Sequence, residues 1–216
     1  MFSVTLFVWV LGLVHDLDRD KGFNEWAYLT KWGVVLDWIT FLCLFIVSLA
    51  FCLNLFNARN ADGEVSQGFR WFVAGTEGIQ FLTVAADICI VIMYWTCLYD
   101  GKKQKTLDLF LNIYNHGVGP LLIFVEFLFN RVPVRKRYLI VLAVFTVVYL
   151  GINLLASKIN EPVYKIMSWD SWKTFWYALG AVALAFFGGA VQFLLRWKKV
   201  QSPVHVKNSR RSFCAE

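Results

Sequence analysis

Apolar residues along this 216-residue chain fall into six stretches separated by short polar loops. A membrane-crossing helix needs about 20 mostly apolar residues, because roughly 30 Å of hydrocarbon must be covered at about 1.5 Å per residue. Five stretches meet that length, near residues 33–56, 71–98, 108–129, 136–157 and 174–196. The first, Phe2 to Val14, is short for a span. It reads as a tilted or shortened helix rather than a signal peptide, since residues 1–14 offer no basic side chain for an n-region. The pattern predicts an all-α, polytopic transmembrane helical bundle of about six spans. No polar stretch is long enough for a soluble module, so residues 1–197 read as one multi-pass domain and 198–216 as a basic cytoplasmic tail.

Charge refines this picture. An even span number puts both termini on one side, and the segments on that side hold twelve Lys and Arg against nine in the opposite loops. Basic residues favour the cytoplasmic side, so both termini read as cytoplasmic. The net charge of +6 does not point to nucleic acid, because it is spread over short loops and the tail. Composition agrees with the span count. Hydrophobic residues make up 58% of the chain and charged residues 17%, against about 45–50% and about 25% in soluble domains. The five cysteines show neither metal-ligand spacing nor a dense disulfide pattern, so no metal and no cofactor is expected. Four of them read as small apolar fillers and Cys214 as a tail thiol.

Polar residues inside the apolar stretches are the candidates for chemistry, since a buried ionisable group in a membrane is costly. They are Asp37 in the second stretch, Glu77 and Asp87 in the third, and His116 and Glu126 in the fourth. The fourth is the most informative. It carries Asn115-His116-Gly117-Val118-Gly119-Pro120, a polar, helix-weakening hexad where hydrocarbon is expected. Pro120 has no N–H, so the carbonyl of His116 loses its helical donor. Asn115 and Glu126 are eleven residues apart and share a helical face. The residues allow two readings: Asn115 and His116 tie helices together, or the histidine exchanges a proton with something bound between helices. In the last stretch Ala181, Ala185 and Gly189 recur every four residues beside Gly188, a flat stripe suited to close helix packing. Packing within the chain is the first reading, and a homo-oligomer through this helix is the alternative.

Several short motifs resemble one family. Trp26-Ala27-Tyr28-Leu29-Thr30 is similar to the Trp-x-aromatic-Leu-Thr element of the androgen-induced membrane hydrolases. Asn115-His116-Gly117 with Pro120 and Glu126 resembles that family's fourth-span motif, and Leu98-Tyr99-Asp100 and Leu107-Asp108 precede it in the same order. Tyr28-Leu29-Thr30-Lys31-Trp32, the Pro133 loop, and Val163-Tyr164 with Trp169-Asp170 look still more like the related rolling stone proteins. The resemblance covers most of residues 26–197.

The resemblance implies a threonine nucleophile and an intramembrane histidine that hydrolyse fatty acid esters of hydroxy fatty acids. Thr30 matches the threonine. The family's fourth-span element usually reads Asn-His-x-x-His, with the second histidine associated with catalysis, and this chain has Gly119 there. That departure leaves His116 as the remaining base and puts the activity in question. Two readings therefore stand. One is a lipid-ester hydrolase with Thr30 and His116 catalytic, Asp87 or Glu126 orienting the ring, and Asn115 and Gly119 supporting the substrate. The other is a non-enzymatic, rolling-stone-like membrane protein of cell-surface interaction or cell fusion. Both expect membrane lipids as partners, a fatty acyl ester as substrate in the first case, and residence in the plasma membrane or endoplasmic reticulum.

Overall fold

The computed structural model describes residues 7–8, 10–12, 27–53, 67–99, 101, 105–130, 132–159, 162–164 and 166–201. The described residues are mostly helical, with no strand among them. We number the helices α1 (Leu29–Cys52), α2 (Gln67–Met93), α3 (Thr106–Ile113), α4 (Gly119–Phe129), α5 (Tyr138–Ile159) and α6 (Trp172–Gln201). A π-helical turn, Tyr94–Leu98, extends α2, and a second, Tyr114–Val118, joins α3 to α4. Four helices are long and apolar enough to cross a membrane: Leu29–Ala50, Gln67–Leu98, Tyr138–Ile159 and Trp172–Arg196. The stretch 106–129 is helical throughout, but the π turn divides it into two short α-helices. The first apolar stretch as a complete span and most of the basic tail lie outside the described residues, as does Cys214. Around Val8 a few helical residues pack on Leu111 and Tyr114.

α2 is the hub, packing against α1, α4, α5 and α6. Half of its apolar window is buried, against 28% in each of the other three long helices. Its sequence explains this position, because small residues at Ala74, Gly78, Ala85 and Ala86 let neighbouring backbones approach. Lipid tails are as apolar as leucine, so close packing and hydrogen bonds, not hydrophobicity, hold spans together. The closest approach is to α6, where a Cβ on Gly188 would stand 3.0 Å from both the Cα and the carbonyl oxygen of Ala85. Ala185 packs in the same cluster with Phe81, Leu82 and Leu142, and Ala181 borders it. The small-residue stripe of α6 is thus taken up by α2 within the chain. Outward faces stay apolar and exposed, as at Val144, Val147 and Leu155 on α5 and Phe175, Phe187 and Leu194 on α6.

Polar links fix the helix ends. Arg196 of α6 donates to the carbonyls of Phe127 and Asn130 and to Asn130 Oδ1, at 2.5, 2.8 and 2.8 Å. It thereby satisfies carbonyls that the end of α4 leaves without helical donors. Glu77, buried on α2, accepts from the Tyr138 hydroxyl and pairs with Arg135 at 3.1 Å, pinning the loop between α4 and α5. At the other end, Trp169 Nε1 donates to Asn153 Oδ1 at 2.9 Å and Tyr149 donates to the Ala27 carbonyl at 3.2 Å. These bonds tie α5 to the segment carrying Trp169 and to the residues just before α1.

Candidate active site

The start of α1 carries the first candidate residue, Thr30. Its Leu29 N–H has no carbonyl of its own turn to bond, and it donates instead to the Tyr164 hydroxyl at 2.9 Å. Tyr164 lies outside the long helices, and burial pushes its hydroxyl up to about 12, so it stays neutral. Thr30 follows inside the first turn. Its hydroxyl does not cap its own helix but lies 2.9 Å from His116 Nε2.

The π turn aims His116. Here the Gly119 N–H reaches back to the Tyr114 carbonyl, one residue further than in an α-helix. Pro120 leaves the His116 carbonyl without its α-helical donor, and Trp95 Nε1 from the neighbouring π turn donates to it at 2.8 Å. Beside Trp95, the Tyr94 ring lies on the imidazole, centroids 3.5 Å apart and planes 14° from parallel. Two helices each give up regular pitch at the same level, and each break supports the other.

The histidine's other nitrogen settles the direction of its hydrogen bonds. Nδ1 is 3.0 Å from the Asn112 carbonyl, which can only accept. In the neutral ring the proton therefore sits on Nδ1, and Nε2 accepts from the Thr30 hydroxyl. A nucleophile bonded to a base, with the base held by a third group, is the arrangement of hydroxyl-dependent acyl transfer. His116 is 7% exposed and Thr30 half-buried.

Thr30 also lines an open-mouthed pocket. Its walls are mainly apolar, among them Ile90, Met93, Leu142, Phe145 and Leu150, with Tyr94, Tyr149 and Tyr164 supplying hydroxyls. The threonine thus has a mainly apolar pocket on one side and the histidine on the other. No group of three or more His, Cys, Asp or Glu side chains converges on a metal-sized site among the described residues.

The remaining sequence-predicted site residues fall in different places. Asn115 is half-buried on the π turn and Gly119 is buried at its end. A Cβ on Gly119 would meet Asp37 Oδ2 at 3.3 Å and the Tyr114 carbonyl at 3.3 Å. That position thus points at the α1 carboxylate. Asp87 is within hydrogen-bonding reach of Asp37 across the α1–α2 seam. Glu126, half-buried, lies ten residues beyond His116, ~15 Å along the helix. The orienting partner of the ring is the Asn112 backbone carbonyl, which sequence reading missed, as it missed Tyr94, Trp95 and Tyr164. Only the orphaned carbonyl left by Pro120 signalled in advance that an outside donor was needed.

No protein-family model, no curated protein and no solved structure matches this chain. The helices define a class, that of proteins with several segments able to cross a membrane.

Proposed function

We propose that this chain is a six-span membrane protein with both termini cytoplasmic, resembling the androgen-induced membrane hydrolases, that cleaves fatty acyl esters of hydroxy fatty acids. The observation that carries the reading is the 2.9 Å contact between Thr30 Oγ1 and His116 Nε2, with Nδ1 held on the Asn112 carbonyl. As the hydroxyl attacks the ester carbonyl, its proton passes to Nε2. The resulting imidazolium returns that proton to the leaving alkoxide, and acyl-threonine remains. Water, deprotonated in turn by His116, releases the fatty acid and restores the hydroxyl. The apolar chamber beside Thr30 suits an acyl chain that arrives laterally from the bilayer. Gly119 does not deprive the threonine of a base in this scheme, since His116 already occupies hydrogen-bonding distance.

The test is purified protein in micelles with a fatty acid ester of a hydroxy fatty acid, alongside a fluorophosphonate probe that reacts with activated hydroxyls. Turnover and labelling at Thr30 are expected in the wild type and absent from Thr30→Ala and His116→Ala. Turnover untouched by both substitutions would remove the site. Neither turnover nor labelling in the wild type would leave the rolling-stone-like interaction protein as the reading.

A further inference from the structure

Seven residues along α1 from Thr30, about two turns and ~10 Å deeper, a second polar group lies on the same helical face. Asp37 and Asp87 are 8% and 3% exposed and bring their carboxyl groups within hydrogen-bonding reach. Two carboxylates share such a contact only with a proton between them, since like charges repel strongly where water is scarce. One oxygen of each, Asp37 Oδ1 and Asp87 Oδ2, has no partner, and neither has the hydroxyl of Tyr114, itself 9% exposed. The tyrosine belongs to the same cluster. The point a Gly119 Cβ would occupy is 3.3 Å from Asp37 Oδ2 and 3.6 Å from Tyr114 Cε1. A carboxyl pair and an unpartnered hydroxyl thus meet in an apolar interior.

The seam differs toward its two ends. Toward Thr30 it is apolar, with Ile90 Cδ1 2.5 Å from where a Gly33 Cβ would be. Toward the Glu77 end it stays polar. Thr40 and Thr83 share a hydroxyl bond of 2.8 Å. Gln80, 1% exposed, has both ends of its amide unpartnered. Glu77, with Arg135 beside it, closes the series. Positions 76, 80, 83 and 87 of α2 follow helical spacing, so this is one continuous polar edge.

We propose that Asp37, Asp87 and Tyr114 form a proton-binding site inside the bundle that exchanges protons with water from the Glu77 end. The ionisable groups around it are few. α1 contributes Asp37 and, beside Thr76, Cys43; α2 contributes Asp87 and Glu77, the π turn before α4 contributes Tyr114, and α4 faces the pair with Gly119. Opposite α2, α6 presents Ala185 and Gly188, and α5 places Tyr138 at the Glu77 end. The site is separate from the Thr30–His116 pair and does not depend on hydrolysis.

A hydrophobic carbodiimide adds only to protonated carboxyls in apolar surroundings, so it reads the site directly. Full-length protein in micelles is treated across buffers from acidic to alkaline, and the adduct is located by peptide mass spectrometry. The expected result is an adduct on Asp37 or Asp87 that falls several-fold toward alkaline buffer and is unchanged by Thr30→Ala. Thr83→Val is expected to slow its loss after a jump to alkaline buffer. No adduct at either residue in any buffer, or an adduct indifferent to pH, overturns the proposal. So does protection by sodium but not choline at constant pH, which would assign the site to a metal cation. The wild-type series decides the matter without a variant that must fold.

Discussion

Replacing Trp95 with Phe tests whether the kink that aims His116 is held from outside its own helix. The substitution removes the indole N–H that donates to the His116 carbonyl at 2.8 Å. An interior carbonyl left without a donor costs about 1–3 kcal/mol. Trp95 is 44% exposed, so solvent or headgroups partly replace the lost donor and the lower half of that range applies. Loss of indole contact with Tyr94 and Tyr99, at 5.2 and 5.0 Å between centroids, adds to the total. The two contributions separate in a double-mutant cycle with Pro120→Ala. Alanine restores an N–H at position 120, four residues after His116, so the carbonyl gains a donor of its own. Trp95→Phe should then cost about 1 kcal/mol less in the Pro120→Ala background than in the wild type, well outside the ~0.3–0.5 kcal/mol expected of independent sites. The measurement is reversible unfolding in mixed micelles followed by circular dichroism. Equal costs in both backgrounds would refute the claim that proline created the vacancy Trp95 fills.

Two further outcomes follow from packing and titration. Gly188→Ala should destabilise the bundle by about 1–3 kcal/mol, because its methyl would press on the Ala85 backbone, which cannot turn aside. Gly33→Ala should cost less although its clash is nearer, at 2.5 Å, because that clash is with the end of the Ile90 side chain, which can rotate; thermal melting of both variants ranks them, and the reverse order would contradict the packing argument. Tyr164 is buried and pushed from 10.0 up to about 12, chiefly by desolvation. The folded state therefore prefers the neutral hydroxyl, so its stabilisation is complete below about pH 10 and is lost as pH rises toward about 12. Melting temperature should fall over that interval, and less so in Tyr164→Phe; an identical alkaline decline in the variant would exclude this tyrosine as the cause.

How far the residues themselves foretold this arrangement differs between levels. Helix positions were legible to within a few residues, since about twenty apolar residues in a row have few alternatives. The mismatch at α1, expected from residue 33 but starting at Leu29, arises because Thr30 and Lys31 sit inside the helix while lowering local hydropathy. Thr30 and His116 were legible as candidates by residue type and motif, but their contact was not. It depends on the π turn, whose extra residue re-aims the imidazole, and that turn depends on Trp95 from a segment some twenty residues earlier. Propensity cannot reveal a register change that only tertiary contact supports. Nor can a sequence distinguish the Asn112 carbonyl from any other, which is why carboxylates were expected to orient the ring. Asp87 instead turns to Asp37 across the α1–α2 seam. A carboxylate beside His116 would favour the imidazolium, whose Nε2 cannot accept a proton. A neutral carbonyl on Nδ1 orients the ring without adding charge, and so leaves Nε2 to accept from the Thr30 hydroxyl.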